Sequence, residues 1–163
     1  MPSYSVTDIE PFNSYVGLNS ALLWVLHADK IPPHIGLSYN GLFYSLKANG
    51  KDEGVSIESL IEIVNRRRIS TLCFELNSSV ESDSIIKEFR RFDRTIPNEI
   101  TCLIPIKNVL NHKSASKLIE LLKLLEENDE IERAMGLNIE KDFGGIQDYD
   151  VAAIHARLKN LDK

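Results

Sequence analysis

The chain has little with which to cross-link itself. Among its 163 residues there are two cysteines, Cys73 and Cys102, too few for the disulfide framework of a secreted scaffold. An excess of positive charge is also missing. Nineteen Lys and Arg stand against 24 Asp and Glu, a formal net charge of −5, so the dense basic footprint of a nucleic-acid surface is excluded. No apolar run approaches a membrane span, the longest being Ala21 to Leu26, so no membrane partner is expected. No charged segment followed by an apolar one opens the chain, so no signal peptide is expected and a reduced, cytoplasmic protein is the expectation. There is no internal repeat and no low-complexity tract. The stretch "DFGGIQDYD" (142–150) has a glycine pair but lacks the strand–loop–helix lysine pattern of a phosphate cradle.

What is present is ordinary globular material. Hydrophobic residues make up 43% and charged residues 26%, and the length suits a single domain over 1–163 with a core of its own. Residues 1–14, polar and carrying Pro2 and Pro11, read as a loose N-terminal arm. "LNSALLWVLHADKI" (18–31) reads as a helix capped by Asn19 or Ser20 and ended by Pro32-Pro33, with a short apolar strand as the alternative. In "HIGLSYNGLFYSL" (34–46), Asn40-Gly41 suits a type I′ turn, so the flanking runs should pair as a hairpin. Residues 47–54 read as a solvated loop.

"SIESLIEIVNRRR" (56–68) is a helix capped by Ser56, with Ile57, Leu60, Ile61 and Val64 on one face. Its Arg66-Arg67-Arg68 fits the carbonyl end of the helix dipole better than a phosphate site. Strands are expected over 69–76 and over 99–106, the latter interrupted by Pro105. Helices are expected over 82–92, 114–129 and 148–161, the third capped by Asp148 or Asp150, with "IERAM" (131–135) extending the second or adding a turn. The fold class is therefore α+β: a small, mostly antiparallel sheet with a central hairpin, packed by four to five helices. The segment 42–76 can add one parallel crossover. "LIELLKLLEEND" is apolar on more than one face, which points to a possible homodimer through helix 114–129.

His34 has two readings. On a strand it shares a face with Gly36 and Ser38, while Ile35, Leu37 and Tyr39 point the other way. Either it closes a strand end, or it is a catalytic base with room for a substrate beside the glycine. His27, Asp29 and His34 lie close in sequence but include no thiolate and are split by the proline pair, so no metal site is expected. His112 reads as a loop residue, His155 as flanking the core, and Gly144-Gly145 as a flexible joint.

"HIGLSYNGLFYSL" resembles the His-bearing hairpin of the papain-related amidases and acyltransferases of the NlpC and lecithin–retinol acyltransferase type. There a His-apolar-Gly-apolar strand is followed by a tight turn and a strand ending in a small polar group. The resemblance covers residues 34–46 only. It implies a Cys–His hydrolase or acyltransferase acting on an amide or ester, without a cofactor, with His34 as base and a cysteine at a helix N-terminus as nucleophile. Both cysteines follow His34, so the permuted order is required. Cys102 is then the candidate, three residues before a helix that starts at Pro105. Against this, an extended 100–104 segment puts Cys102 on a face with Ile100 and Ile104, as a core residue. Cys73, mid-strand beside Glu75, reads as structural. In the non-permuted order Ser20 occupies the nucleophile position and the chemistry is lost. Ser45 or Asn49 is the expected orienting group. The competing reading is a non-catalytic domain that acts through self-association or another protein surface.

Overall fold

The computed structural model describes residues 3–13, 20–77 and 80–161. Its strands are β1 (Ser3–Tyr4), β2 (Glu10–Pro11), β3 (Ala21–Leu26), β4 (His34–Tyr39), β5 (Leu42–Lys47), β6 (Gly50–Ser56), β7 (Thr71–Leu76), β8 (Ile131–Leu137) and β9 (Ile146–Gln147). Its helices are α1 (Ile57–Arg66), α2 (Ser82–Phe89), α3 (Leu103–Val109), α4 (Leu118–Glu127) and α5 (Val151–Leu161). The protein is α+β. Seven strands form one sheet in the order β2-β8-β7-β3-β4-β5-β6, antiparallel throughout except for the short β2–β8 pair, and β1 and β9 form a separate ribbon. Among the described residues no helix is long and apolar enough to cross a membrane.

The hairpin forms as its turn chemistry requires. Asn40 and Gly41 take φ of 54° and 76°, and Tyr39 pairs with Leu42. Ser56 caps α1, its Oγ accepting the Ser59 N–H at 3.2 Å. The Ile57 N–H donates to the Gly41 carbonyl at 2.9 Å, tying α1 to the hairpin turn. β6 runs in the same direction as β7, so β6–α1–β7 is a parallel crossover that spans β3, β4 and β5.

Two apolar layers result. On one face Leu22, Trp24, Phe43, Cys73 and Met135 pack against Ile57, Leu60 and Val64 of α1. On the other, Leu23, Val25, Leu37, Leu72 and Phe74 pack under α2, α3 and α4.

Several expectations are corrected. Residues 18–31 hold strand β3, not a helix: all six of its residues are buried between β4 and β7, and a strand covered on both faces is apolar without alternation. Ser20 therefore precedes a strand, and Asn19 lies outside the described residues. The loop expected over 47–54 is largely β6, reached through a two-residue turn at Ala48-Asn49. The strand expected over 99–106 is replaced by a bridge from Ile96 to Ile100 and then α3. Pro105 sits in the first turn of α3, where a missing N–H breaks no bond. "IERAM" belongs to β8, the neighbour of β7, rather than to α4. The N-terminal arm is not loose where it is described: β1 pairs with β9 and β2 with β8. Gly145 is no joint. It has φ +121°, and a Cβ there would lie 2.3 Å from the Tyr4 carbonyl oxygen.

Helix 114–129 begins only at Leu118. Leu118, Ile119, Leu121, Leu122 and Leu125 are all buried within the chain itself. The exposed second apolar face on which a homodimer was expected is therefore covered.

Candidate functional site

β4 and β5 pair only over Leu37–Tyr39 and Leu42–Tyr44, whereas β5 and β6 pair on to Lys47 and Gly50. These two neighbouring strands thus part toward the His34 end of the sheet. The chain after α2 closes over that gap, the Thr95 N–H donating to the Lys47 carbonyl at 2.9 Å. Lys51 secures the same region by donating from Nζ to the carbonyls of Phe89 and Phe92 at 3.1 and 3.0 Å, where a cation suits a helix C-terminus. A cavity of about 970 Å³ opens here, large enough for a small-molecule ligand.

His34 and Cys102 both line this cavity. His34, however, lies on the sheet face that carries its partner Leu26, toward α1, whereas Cys102 packs against the layer under α2, α3 and α4. No hydrogen bond joins His34 Nε2 to the sulfur. His34 Nε2 is buried and has no hydrogen-bond partner. Burial lowers the imidazole to about 4; Asp52 opposes that shift, while Lys47 and His27 add to it. Cys102 is the residue immediately before α3, with no side-chain capping bond to occupy it. It sits at the helix start itself, two residues nearer than the sequence suggested, and not in an extended run with Ile100 and Ile104. The backbone N–H dipoles of Ile35, the neighbour of His34, and of Cys102 itself favour its thiolate. Burial pushes the thiol up, and these two donors oppose the shift. At neutral pH the resting pair is therefore an imidazole and a thiol, both uncharged.

The small-residue space expected beside His34 is not open. The ring of Phe43 lies over Gly36, where an added Cβ would meet it at 2.3 Å. At the strand end Leu26, Ile31 and Pro32 belong to the cavity lining, with Ile31 exposed. Ser20 lies at the opposite end of β3 from Leu26, the residue paired with His34. At ~3.3 Å per residue that is roughly 20 Å away, so the structure does not bring Ser20 and His34 together. Cys73 is buried mid-strand, its thiol pushed well up by burial and then by Glu75.

Of the orienting groups expected, Ser45 is buried and donates from Oγ to Asp52 Oδ2 at 2.8 Å, and Asn49 lines the cavity. Asp52 itself was missed. It accepts from Lys47 Nζ at 3.0 Å and lines the cavity. The Asn49-Gly50 pair marks a turn between 47 and 54, although the turn itself is Ala48-Asn49 and Gly50 already opens β6. Thr95 and Tyr149 also line the cavity, and nothing local in the sequence marks them. Thr95 Oγ1 is buried without a partner. The Tyr149 hydroxyl accepts from the Leu118 N–H at 3.4 Å. Burial raises this phenol, and Cys102 raises it further, so Tyr149 keeps its proton.

His27 and Asp29 line the cavity too, yet among the described residues no three His, Cys, Asp or Glu side chains are grouped to hold a metal ion. His112 Nε2 lies 2.5 Å from Glu130, and His155 Nδ1 accepts the Asn98 N–H at 2.7 Å. Asp148 pairs with Lys117 at 2.8 Å and accepts from the Tyr149 N–H.

No protein-family model matches the chain, and neither the curated proteins nor the solved structures gave a match.

Proposed function

We propose that the chain is a Cys–His hydrolase or acyltransferase of permuted papain-like order, acting on an amide or ester. What supports this reading is a cavity that both residues line, His34 with an unpartnered Nε2 and Cys102 immediately before α3 with no capping bond. The two reach it from opposite faces of the sheet, where β4 and β5 part. Cys102 Sγ attacks the substrate carbonyl carbon as its proton passes to His34 Nε2 through one water that enters with the substrate, because no hydrogen bond joins the two at rest. The C–N or C–O bond then breaks, and the leaving amine or alcohol takes that proton. Water, or an acceptor amine or alcohol, attacks the thioester; its proton travels through His34 to the departing sulfur.

Because both groups rest uncharged, the proton moves in the step of attack rather than beforehand. Asp52 steadies the transient imidazolium. The backbone N–H at the start of α3 and the protonated Tyr149 hydroxyl, both in the cavity lining, are the donors available to the developing oxyanion. The test is acylation by p-nitrophenyl acetate, read by peptide mass. An acetyl group on Cys102 is expected, absent in Cys102→Ala and slowed about a hundredfold in His34→Ala. An unmodified Cys102 under those conditions removes the reading.

The burial that keeps thiol and imidazole neutral favours a second reading, a binding domain that uses the same cavity without chemistry. It gains if Cys102 stays unmodified while the cavity still takes a ligand.

A further inference from the structure

The mouth of the cavity has a character that the proposed Cys–His chemistry does not use. Two of the large hydrophobic side chains left exposed, Ile31 at 43% and Ile63 at 37%, belong to its lining. Beside them lie the exposed cations Lys30 and Arg67. Lys47 and Asp52, also in the lining, satisfy each other. Lys30 and Arg67 form no ion pair among the described residues, and the remaining acidic group in the lining is Asp29. In a chain of net charge −5, the free charge at this mouth is positive. Arg66 lies in the last turn of α1 and suits the helix dipole; Arg67 is the cap residue that reaches the cavity. Deeper in the same lining, Thr95 is 1% exposed and its Oγ1 has no partner. An unsatisfied buried hydroxyl marks a position that a ligand's polar group fills.

We propose that this cavity recognises a small aliphatic amide or ester bearing a carboxylate, with Lys30 and Arg67 pairing the carboxylate at the mouth, Ile31 and Ile63 covering the aliphatic part, and Thr95 Oγ1 bonding a polar group within. This deepens the hydrolase reading by naming its substrate class, and rests on that reading only for turnover.

Binding separates the two. Cys102→Ala is titrated by calorimetry with N-hexanoylglycine and with its uncharged twin, N-hexanoylglycinamide. The carboxylate should bind about tenfold tighter, equivalent to about 1.4 kcal/mol. Raising the salt to about 0.5 M should erode that preference and leave the amide unaffected. In the Lys30→Gln/Arg67→Gln double variant the preference should vanish; both side chains are exposed, so an unchanged thermal midpoint certifies the fold. Equal binding of the two ligands, binding of neither, or a preference that survives the double variant overturns the inference. If Cys102 refuses acylation while Cys102→Ala binds charge-selectively, the chemistry falls and this recognition stands.

Discussion

His34 ties the cavity to stability. Its imidazole sits at about 4 in the folded chain, lowered by burial, against ~6.5 when unfolded. Between those values the unfolded chain holds a proton that the folded chain does not, so stability rises with pH across the window. The contribution is complete above about pH 6.5 and is lost progressively toward pH 4, on the order of 3 kcal/mol in all. Urea titrations at neutral pH and near pH 4 should show that loss in the wild type and a markedly smaller one in His34→Gln. Cys102 behaves in the opposite sense. Its raised thiol should alkylate more slowly with iodoacetamide than a free thiol at neutral pH, gaining rate only as the pH climbs past that of ordinary cysteine. A fast reaction at neutral pH would mean that the thiolate is present at rest. In the sequence the hairpin pattern singles out His34 and the chain order leaves Cys102, and the structure puts both in the cavity lining. Asp52, Thr95 and Tyr149 were not legible there, since they reach the cavity from a second hairpin, from the chain after α2 and from the approach to α5. Only the tertiary fold brings those together.

Among the elements, the turn at Asn40-Gly41 was fully legible, because positive φ at two successive residues is written in residue type. Gly41→Val forces a β-branched residue into that conformation and should lower stability by about 1–2 kcal/mol, read as a fall in the urea midpoint at unchanged slope. Gly145→Ala should cost stability for another reason: its Cβ has no place against the Tyr4 carbonyl, so the β1–β9 ribbon must open. β3 was read as a helix because "ALLWVL" has no alternation to betray a strand, and burial on both faces is a fact about its neighbours rather than its own sequence. α3 was read two ways, as part of a strand over 99–106 and as a helix from Pro105, and the helix is what forms, from Leu103. Pro105 looked like a strand break, yet it occupies the one part of a helix where a proline is tolerated.

At the scale of the whole molecule, the burial of both apolar sides of α4 removes the reason to expect self-association. Sedimentation at micromolar concentration should give a monomer, and a dimer would require a surface other than α4. The order of the strands also sets a schedule for folding. β3, β4, β5 and β6 follow one another along the chain and neighbour one another in the sheet, so their pairing closes short loops. β7 is different. It docks on the far side of β3, with Ala21 opposite Leu76, after the chain has crossed the whole meander through α1. β8 must then wait for β7, with three helices still to be placed between them. Loop closure of that length is slow relative to hairpin formation. Destabilising changes in the β4–β5 hairpin should therefore retard refolding, whereas those at the β7–β8 seam should chiefly accelerate unfolding, a division that stopped-flow chevrons can read.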